Sequence, residues 1–397
     1  MWHSNMKRLL IIGASVLQVP AILKAKEMGL YVAVADFNPN AIGIPLADEY
    51  YNVSTIDEEG VYEAAKAFHA DGIMTLATDM PMRSLAYACG KLGLVGLAYD
   101  SSVKATDKGE MIKTFEAAGV EHPWYQIVPA GQKPVPGYTF PLITKPTDNS
   151  GSRGVMLVHN EDELAAALSY SSENGRHGDV IMEEYMQGPE VSVEVMVSHG
   201  VPHVLQITDK LTTGAPHFVE MGHSQPSRLP EDAQAAICDL ASRAALSVGI
   251  EDGPAHVEII LTASGPKMVE LGARMGGDCI TTHLVPLSTG IDMVGNTIRI
   301  ALGEEPDLVQ KLHKGSAIRY FSVPCGVIRE ITGVEETRAI EGVQEITFVK
   351  HVGDTAGDIG SSTDRVGFVI AQAETAEEAV KVCERAIACV RIDVQSN

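Results

Sequence analysis

The sequence predicts a mixed architecture, α/β over its first quarter and α+β over the rest. Three observations carry this. Residues 1–104 alternate short apolar runs with amphipathic stretches. Beyond about residue 105 the apolar runs acquire period-two alternation and hairpin spacing. From 313 onward a small β-rich unit is closed by one amphipathic helix. The expected domains are therefore 1–104, Rossmann-like; 105–312, a central module whose lid spans about 145–200 and whose larger lobe spans about 201–312; and 313–397, small and β-rich.

The first part is justified run by run. KRLLIIG (7–13), YVAVAD (31–36) and IMTLATD (73–79) read as strands. VLQVPAILKAKEMG (16–29), EGVYEAAKAFHADG (59–72) and MPMRSLAYACGKLG (80–93) read as helices ending at glycine. Strand–helix alternation implies a parallel sheet covered on both faces. The first turn invites a dinucleotide, but Gly13-Ala14-Ser15-Val16-Leu17-Gln18 keeps only the first glycine of G-x-G-x-x-G. A βα turn without NAD is the better reading. Asp36 and Asp79 close strands, where such sheets place ligands, and helix capping explains each equally well.

In the second part, ATDKGEMIKTFEAAGV (105–120) reads as a capped amphipathic helix and EVSVEVMVSHG (190–200) as an alternating strand. HVEIILTASGPKMVEL (256–271) reads as a hairpin. In the third, QEITFVKHVGD and DRVGFVIAQAE precede the helix TAEEAVKVCERAIACV (375–390).

The chain has 397 residues and a formal net charge of −22. That balance argues against nucleic acid and anionic membranes as partners, because phosphate selects clustered Lys and Arg. No apolar run approaches the roughly 20 residues of a membrane span. The opening run breaks at Gly13 and reads as a strand, not a signal peptide. The six cysteines form no CxxC pair. They read as buried apolar residues in a reducing cytoplasm, with neither disulfide framework nor zinc site.

Four stretches carry chemistry. KPTDNSGSRGV (145–155) sets Lys145 before a glycine- and serine-rich loop. The lysine precedes the glycines, which excludes a Walker A loop. Alone, the stretch fits a polar hairpin turn as well as a loop closing backbone N–H groups over phosphate. IMEEYMQGPE (181–190) ends a strand in Glu183 and Glu184 and adds Glu190. Carboxylates suit ribose hydroxyls or an exocyclic amine, and they suit a solvated turn equally.

The third stretch is stronger. Glu258 and Glu270 flank the turn Thr262–Pro266 symmetrically, so a short hairpin sets them opposite each other or within one residue of it. Opposed Cβ atoms lie about 5 Å apart, where like charges destabilise a sheet. Between apolar neighbours the pair calls for a bridging cation. Oxygen-only ligands suit Mg²⁺, which takes its remaining ligands from water and substrate phosphates. Arg274, four residues on, suits a transferring phosphoryl group or a carboxylate.

Taken in order, these features resemble the ATP-grasp superfamily, which includes L-amino-acid ligases and enzymes related to carbamoyl-phosphate synthetase and biotin carboxylase. The resemblance spans nearly the whole chain and implies a Rossmann-like first domain, a central ATP-grasp module and a small C-terminal domain. It implies that Lys108, after Asp107, and Lys145 contact the ATP phosphates. Residues 149–154, with Ser150, Gly151, Ser152 and Gly154, would form the lid. Glu183, Glu184, Tyr185 and Met186 would form the adenine hinge, and Glu190 would hold ribose. Glu258 and Glu270 would bind one or two Mg²⁺, with Mn²⁺ as a substitute, and Arg274 and Lys145 would be catalytic. One departure stands out. Many members read Glu-x-Asn-x-Arg, and here Gly272 takes the asparagine position. Binding of the second Mg²⁺ is open on that ground, with Asp278 or a water as replacement.

The reaction implied is ATP-dependent carbon–nitrogen ligation. A carboxylate is activated as an acyl phosphate and captured by an amine, an amino acid in the favoured reading. The alternative is a purine-pathway or carbamoyl-phosphate-type enzyme acting on a phosphorylated or one-carbon acid. A third reading, a non-catalytic nucleotide binder, rests on Gly272 and is opposed by Lys145, Glu258, Glu270 and Arg274. Residues 212–227 read as a long loop with little apolar periodicity, and Glu220 and His223 on it are substrate candidates, as are Asp278 and His283. The expected partners are small carboxylates and amines, with a homodimer as a family-level expectation.

Overall fold

The computed structural model describes residues 6–149, 151, 153–215 and 217–395. The first sheet is parallel. Its strands β1 (Arg8–Ile12), β2 (Tyr31–Ala35), β3 (Glu49–Tyr51) and β4 (Gly72–Met74) lie in the order β3-β2-β1-β4. Period-two alternation divides their side chains between two cores. Leu9, Ile11, Val32 and Val34 pack with the helix Val19–Glu27. Leu10, Ile12, Ala33 and Ala35 pack with the helices Glu58–Phe68 and Met82–Leu92.

Two details at this sheet bear on ligands. The Gln18 carboxamide fills the turn after β1: its Oε1 accepts from the Ser15 backbone N–H at 3.1 Å, and its Nε2 donates to Leu76 O at 2.8 Å. The strand expected over 73–79 ends at Met74. Residues 75–79 leave the sheet as a loop through a left-handed Ala77, φ 61°, and carry Asp79 toward the rest of the chain.

The second sheet has β5 (Tyr125–Val128), β6 (Leu142–Pro146), β7 (Met156–Val158) and β8 (Val180–Glu184), ordered β5-β8-β6-β7. The helix Glu161–Glu173 covers it through Leu164 and Ala167. The third sheet takes β9 (Glu190–Ser198), β10 (Val201–Thr212), β11 (Glu220–Gln225), β12 (Gly253–Thr262), β13 (Gly265–Gly272) and β14 (Gly315–Tyr320). After β15 (Gly326–Thr332) come β16 (Val343–Phe348), β17 (Thr355–Ala356), β18 (Gly367–Ala373) and β19 (Arg391–Gln395). β16 and β18 join the third sheet, which is eight strands wide in the order β13-β12-β9-β10-β11-β14-β18-β16. A small sheet, β17-β15-β19, completes the chain.

The third sheet sets up the site. Along β9, Val191, Val193, Val195 and Val197 face the helix Glu231–Ser247. The alternate residues Glu190, Ser192 and Glu194 face the other side. The loop expected over 212–227 is a correction. Its second part is β11, an interior strand between β10 and β14, and the described residues outside strands are 213–215, 217–219 and 226–227. The sequence EMGHSQ hides a strand because its buried residues, His223, Ser224 and Gln225, are polar. Among the described residues no helix is long and apolar enough to cross a membrane, and the cysteines are unpaired.

Candidate functional site

Two cavities meet over the β12–β13 hairpin. Glu258 and Glu270 are direct cross-strand partners, through a β-bulge that shifts the register by one residue between Ile259 and Glu258. Both carboxylates line both cavities.

The first cavity lies between the second sheet and the hairpin. Lys145, at the end of β6, is 6% exposed and pairs with Glu183 at 2.7 Å. Lys108 opens its helix, where the Asp107 side chain accepts from the Glu110 N–H at 3.0 Å. The Lys108 ammonium donates to Asn149 O at 2.8 Å and pairs with Glu270 at 3.0 Å. Burial works to lower its pKa, but Glu270 carries it upward. Gly151 and Arg153 line the same cavity. Gly154 has φ 79°, and a Cβ there would fall 2.7 Å from Pro146 Cγ, so this turn of the loop requires glycine. Ser150 and Ser152 lie outside the described residues. On the far wall stand Glu183, Glu184, Tyr185 and Met186. Glu184 is bound by Lys267, and the Tyr185 N–H donates to Pro141 O at 3.1 Å. Glu190 closes this wall.

The second cavity lies on the other side of the carboxylate pair. Asp79 from the first sheet's loop, Glu220 and His223 from β11, and Arg274, Asp278 and Ser361 line it. Arg274 is fixed by Asp79 through Nε and Nη2, at 2.9 and 3.0 Å. Burial opposes its charge, but Asp79 raises its pKa further. Asp278 receives Arg365 bidentately, at 2.8 and 2.7 Å, and lies 3.2 Å from His223 Nε2. The Arg365 guanidinium also covers the Tyr320 ring, 3.8 Å from its centroid. Gly272 sits where Asp79 and Arg274 meet: a Cβ would lie 2.8 Å from Asp79 Oδ1 and 2.9 Å from Arg274 Nε. His283 does not join the others. It pairs with Glu345 at 3.1 Å and lines neither cavity.

Three groups escape sequence reasoning. Lys210 on β10 lies between the carboxylates of Glu190 (2.6 Å), Glu258 (2.9 Å) and Glu220 (3.6 Å). His256 bonds the buried Glu194 at 2.6 Å and faces Glu258 at 3.4 Å. Burial lowers the imidazole's affinity for a proton, but Glu194 and Glu258 raise its pKa to about 9. Burial alone would raise the Glu258 pKa; Lys210 and His256 hold it well below the usual range. Arg365 is the third group. A signal for the first two exists in the period-two polar residues of β9, β10 and β12, which is visible only once those strands are paired.

The donors fit a hard divalent cation. Glu258 and Glu270 are oxygen ligands only. Among the described residues, no group of three or more His, Cys, Asp and Glu side chains is arranged to hold a metal. Among the described residues the buried side-chain atoms lacking a hydrogen-bond partner are Ser192 Oγ, Glu194 Oε2 and His223 Nδ1. They fall on the cross-strand rows that carry Glu258, His256 and Lys210.

Comparison with known proteins places the chain. Residues 138–282 match the family described as ATP-grasp domain, and residues 319–395 match L-amino acid ligase C-terminal domain 2. The chain is 26% identical over 339 residues to an L-arginine-specific L-amino acid ligase of Bacillus subtilis, covering 80% of each. It is 26% identical over 382 residues to a phosphoribosylamine–glycine ligase of Methanosarcina barkeri, covering 90% of this chain and 87% of the other. The crystal structure of an L-amino acid ligase from Bacillus licheniformis has a TM-score of 0.86 at 23% identity, over 98% of this chain and 99% of that one. A phosphoribosylglycinamide synthetase from Anaerococcus prevotii has a TM-score of 0.80 at 24% identity, over 98% and 100%. These two structures share the fold of this chain.

Proposed function

We propose that this chain, an ATP-dependent carboxylate–amine ligase of the ATP-grasp kind, joins an amino-acid carboxylate to the amine of a second amino acid. The observation that carries this reading is the second cavity. It is lined by five carboxylates, Asp79, Glu220, Glu258, Glu270 and Asp278, against Lys210, Arg274 and His256, and each of these three is already committed to a carboxylate. Such a wall suits a substrate bearing an ammonium group and is poor for a phosphorylated one. Ser361, from the segment that matches the amino-acid-ligase domain, also lines this cavity, which favours the same reading.

The roles follow from position. Lys108 and Lys145 neutralise the polyphosphate from two sides, and the 149–154 loop closes over it. Glu183 to Met186 receive the adenine and Glu190 the ribose. Glu258 and Glu270 hold the divalent cation, one or two ions, which when bound screens the phosphate charge. Glu220 reads the ammonium of the substrate, with His223 and Asp278 behind it. The substrate carboxylate oxygen takes the terminal phosphoryl group and ADP departs. The amine then attacks the carbonyl carbon, phosphate leaves, and the amide remains. Arg274, held by Asp79, faces the charge that develops on the phosphoryl oxygens. Catalysis is positioning and charge neutralisation, with no protein nucleophile.

The test is phosphate release with ATP and Mg²⁺ across all pairs of the common amino acids, with products identified by mass. Glycine plus phosphoribosylamine forms a separate arm. A pair that raises phosphate release above either amino acid alone, with the matching dipeptide mass, is expected. Turnover confined to the phosphoribosylamine arm would replace this reading with the purine one. No turnover in any arm would remove both.

A further inference from the structure

We propose that Lys210 is a resident counter-cation of the site, a positioning residue whose one ammonium holds Glu190, Glu220 and Glu258 in register. The inference rests on the reading above and adds a residue to it.

Three observations carry it. First, the Lys210 side chain is 2% exposed and meets three carboxylates within 3.6 Å. An ammonium has three donors, and a purely structural lysine needs one carboxylate to be neutralised. Here the carboxylates outnumber the cations even when the His256 imidazole beside Glu258 is counted. Second, the three carboxylates belong to different parts of the site. Glu190 lines the first cavity, whereas Glu220 and Glu258 line both. Lys210 therefore stands at the junction, where a nucleotide and an acceptor must meet. Third, it shares Glu258 with His256. Lys210 takes Oε2 at 2.9 Å and the imidazole faces Oε1 at 3.4 Å. With both oxygens engaged from the protein side, each keeps a lone pair for the cavity.

The charge count gives the direction of the effect. Removing Lys210 leaves three carboxylates around one point, with the His256 imidazole against the other oxygen of Glu258 as their remaining cationic neighbour. At separations of about 4 Å in a half-buried site, that Coulomb term outweighs the loss of orientation, so a divalent ion should be drawn in where the ammonium stood. An ion seated there is shared by Glu190, Glu220 and Glu258 and competes with the Glu258–Glu270 position for Glu258, and turnover should fall.

The probe is Mn²⁺, followed by electron paramagnetic resonance on the full-length protein. For wild type, Mn²⁺ should bind weakly alone and tightly with ADP. For Lys210→Met, binding without nucleotide should tighten about tenfold or more, on the scale seen when groups around metal ligands are changed. The melting temperature of this variant should fall without metal and recover in Mn²⁺. A lysine that only fills space predicts a melting temperature indifferent to Mn²⁺. Lys210→Arg keeps the charge and guards against a variant that does not fold; it should show wild-type-like weak binding without nucleotide. Equal Mn²⁺ binding by wild type and Lys210→Met would overturn the inference while leaving the carboxylate pair intact. Failure of wild type to bind Mn²⁺ with ADP would instead overturn the underlying assignment of Glu258 and Glu270.

Discussion

At the scale of single residues, the site is built from charges that fix one another. Asp278 shows this best. Burial alone would raise its carboxyl pKa, yet the hydrogen bonds from Arg365 and His223 bring it well below the ordinary range. The sign of the stability effect follows. A carboxyl with a depressed folded pKa stabilises the fold above its unfolded value, about 3.9, and the contribution fades as pH falls through the folded value. Asp278→Asn leaves the Arg365 guanidinium buried without its charge partner. We expect a loss of roughly 3 kcal/mol at pH 7. Urea melts at several pH values check it: the gap between wild type and variant should be flat from pH 8 to 5 and narrow below about pH 4. Equal stabilities at pH 7 would show that Arg365 is satisfied by Tyr320 and backbone oxygens alone.

At the scale of elements, the β12–β13 hairpin concentrates the chemistry, and it was also the most legible part of the sequence. Two glutamates so spaced about a short turn fall opposite each other or one residue apart; the turn alone would leave them one apart, and a β-bulge at Val269 brings them face to face. Gly272 was harder to read, because the reason for a glycine there lies almost two hundred residues away. The Asp79–Arg274 pair occupies the space a side chain would need. Gly272→Asn, the residue the ATP-grasp resemblance leads one to expect there, should therefore push Asp79 off Arg274 and not complete a metal shell. Overpacking of this kind costs roughly 1–3 kcal/mol. We expect the loss to appear in turnover more than in melting temperature, because the displaced atoms are side-chain ends lining a cavity. Full turnover by the Gly272→Asn variant would mean that the pair relocates freely. β11 was not legible for a related reason. Hydrophobic alternation marks strands whose inward face is apolar, and the inward face of β11 is His223 and Gln225. Lys210, His256 and Arg365 escaped because each is defined by partners distant in the sequence, on other strands for the first two and in the loop after β13 for Arg365, and no local pattern names those partners.

At the scale of the molecule, the question is how far the last 85 or so residues are a unit of their own, as the sequence suggests by its spacing. β14, β18 and β16 continue the sheet that begins with the β12–β13 hairpin, and β14 pairs directly with β11 from Gly222↔Arg319 to Gln225↔Ser316. β11 carries Glu220 and His223, so one flank of the acceptor side is hydrogen-bonded to the C-terminal strands. Arg365 then crosses to Asp278, and the core of that region runs back through Ala317 and Val369 beneath the helix Ala376–Cys389. The chain cut after residue 312 would leave β11 as an unpaired edge with its buried polar residues exposed, a configuration that favours edge-to-edge association. Asp278 would also lose its guanidinium. We expect the shortened chain to aggregate or elute as large species, with no amine-dependent phosphate release, while Arg365→Met in the full chain stays monodisperse and loses stability only. Size-exclusion chromatography with light scattering separates these outcomes. If the shortened chain were compact, monodisperse and melted within a few degrees of the full one, the C-terminal strands would be an appendage to the sheet and not part of the frame that holds Glu220 and His223 in place.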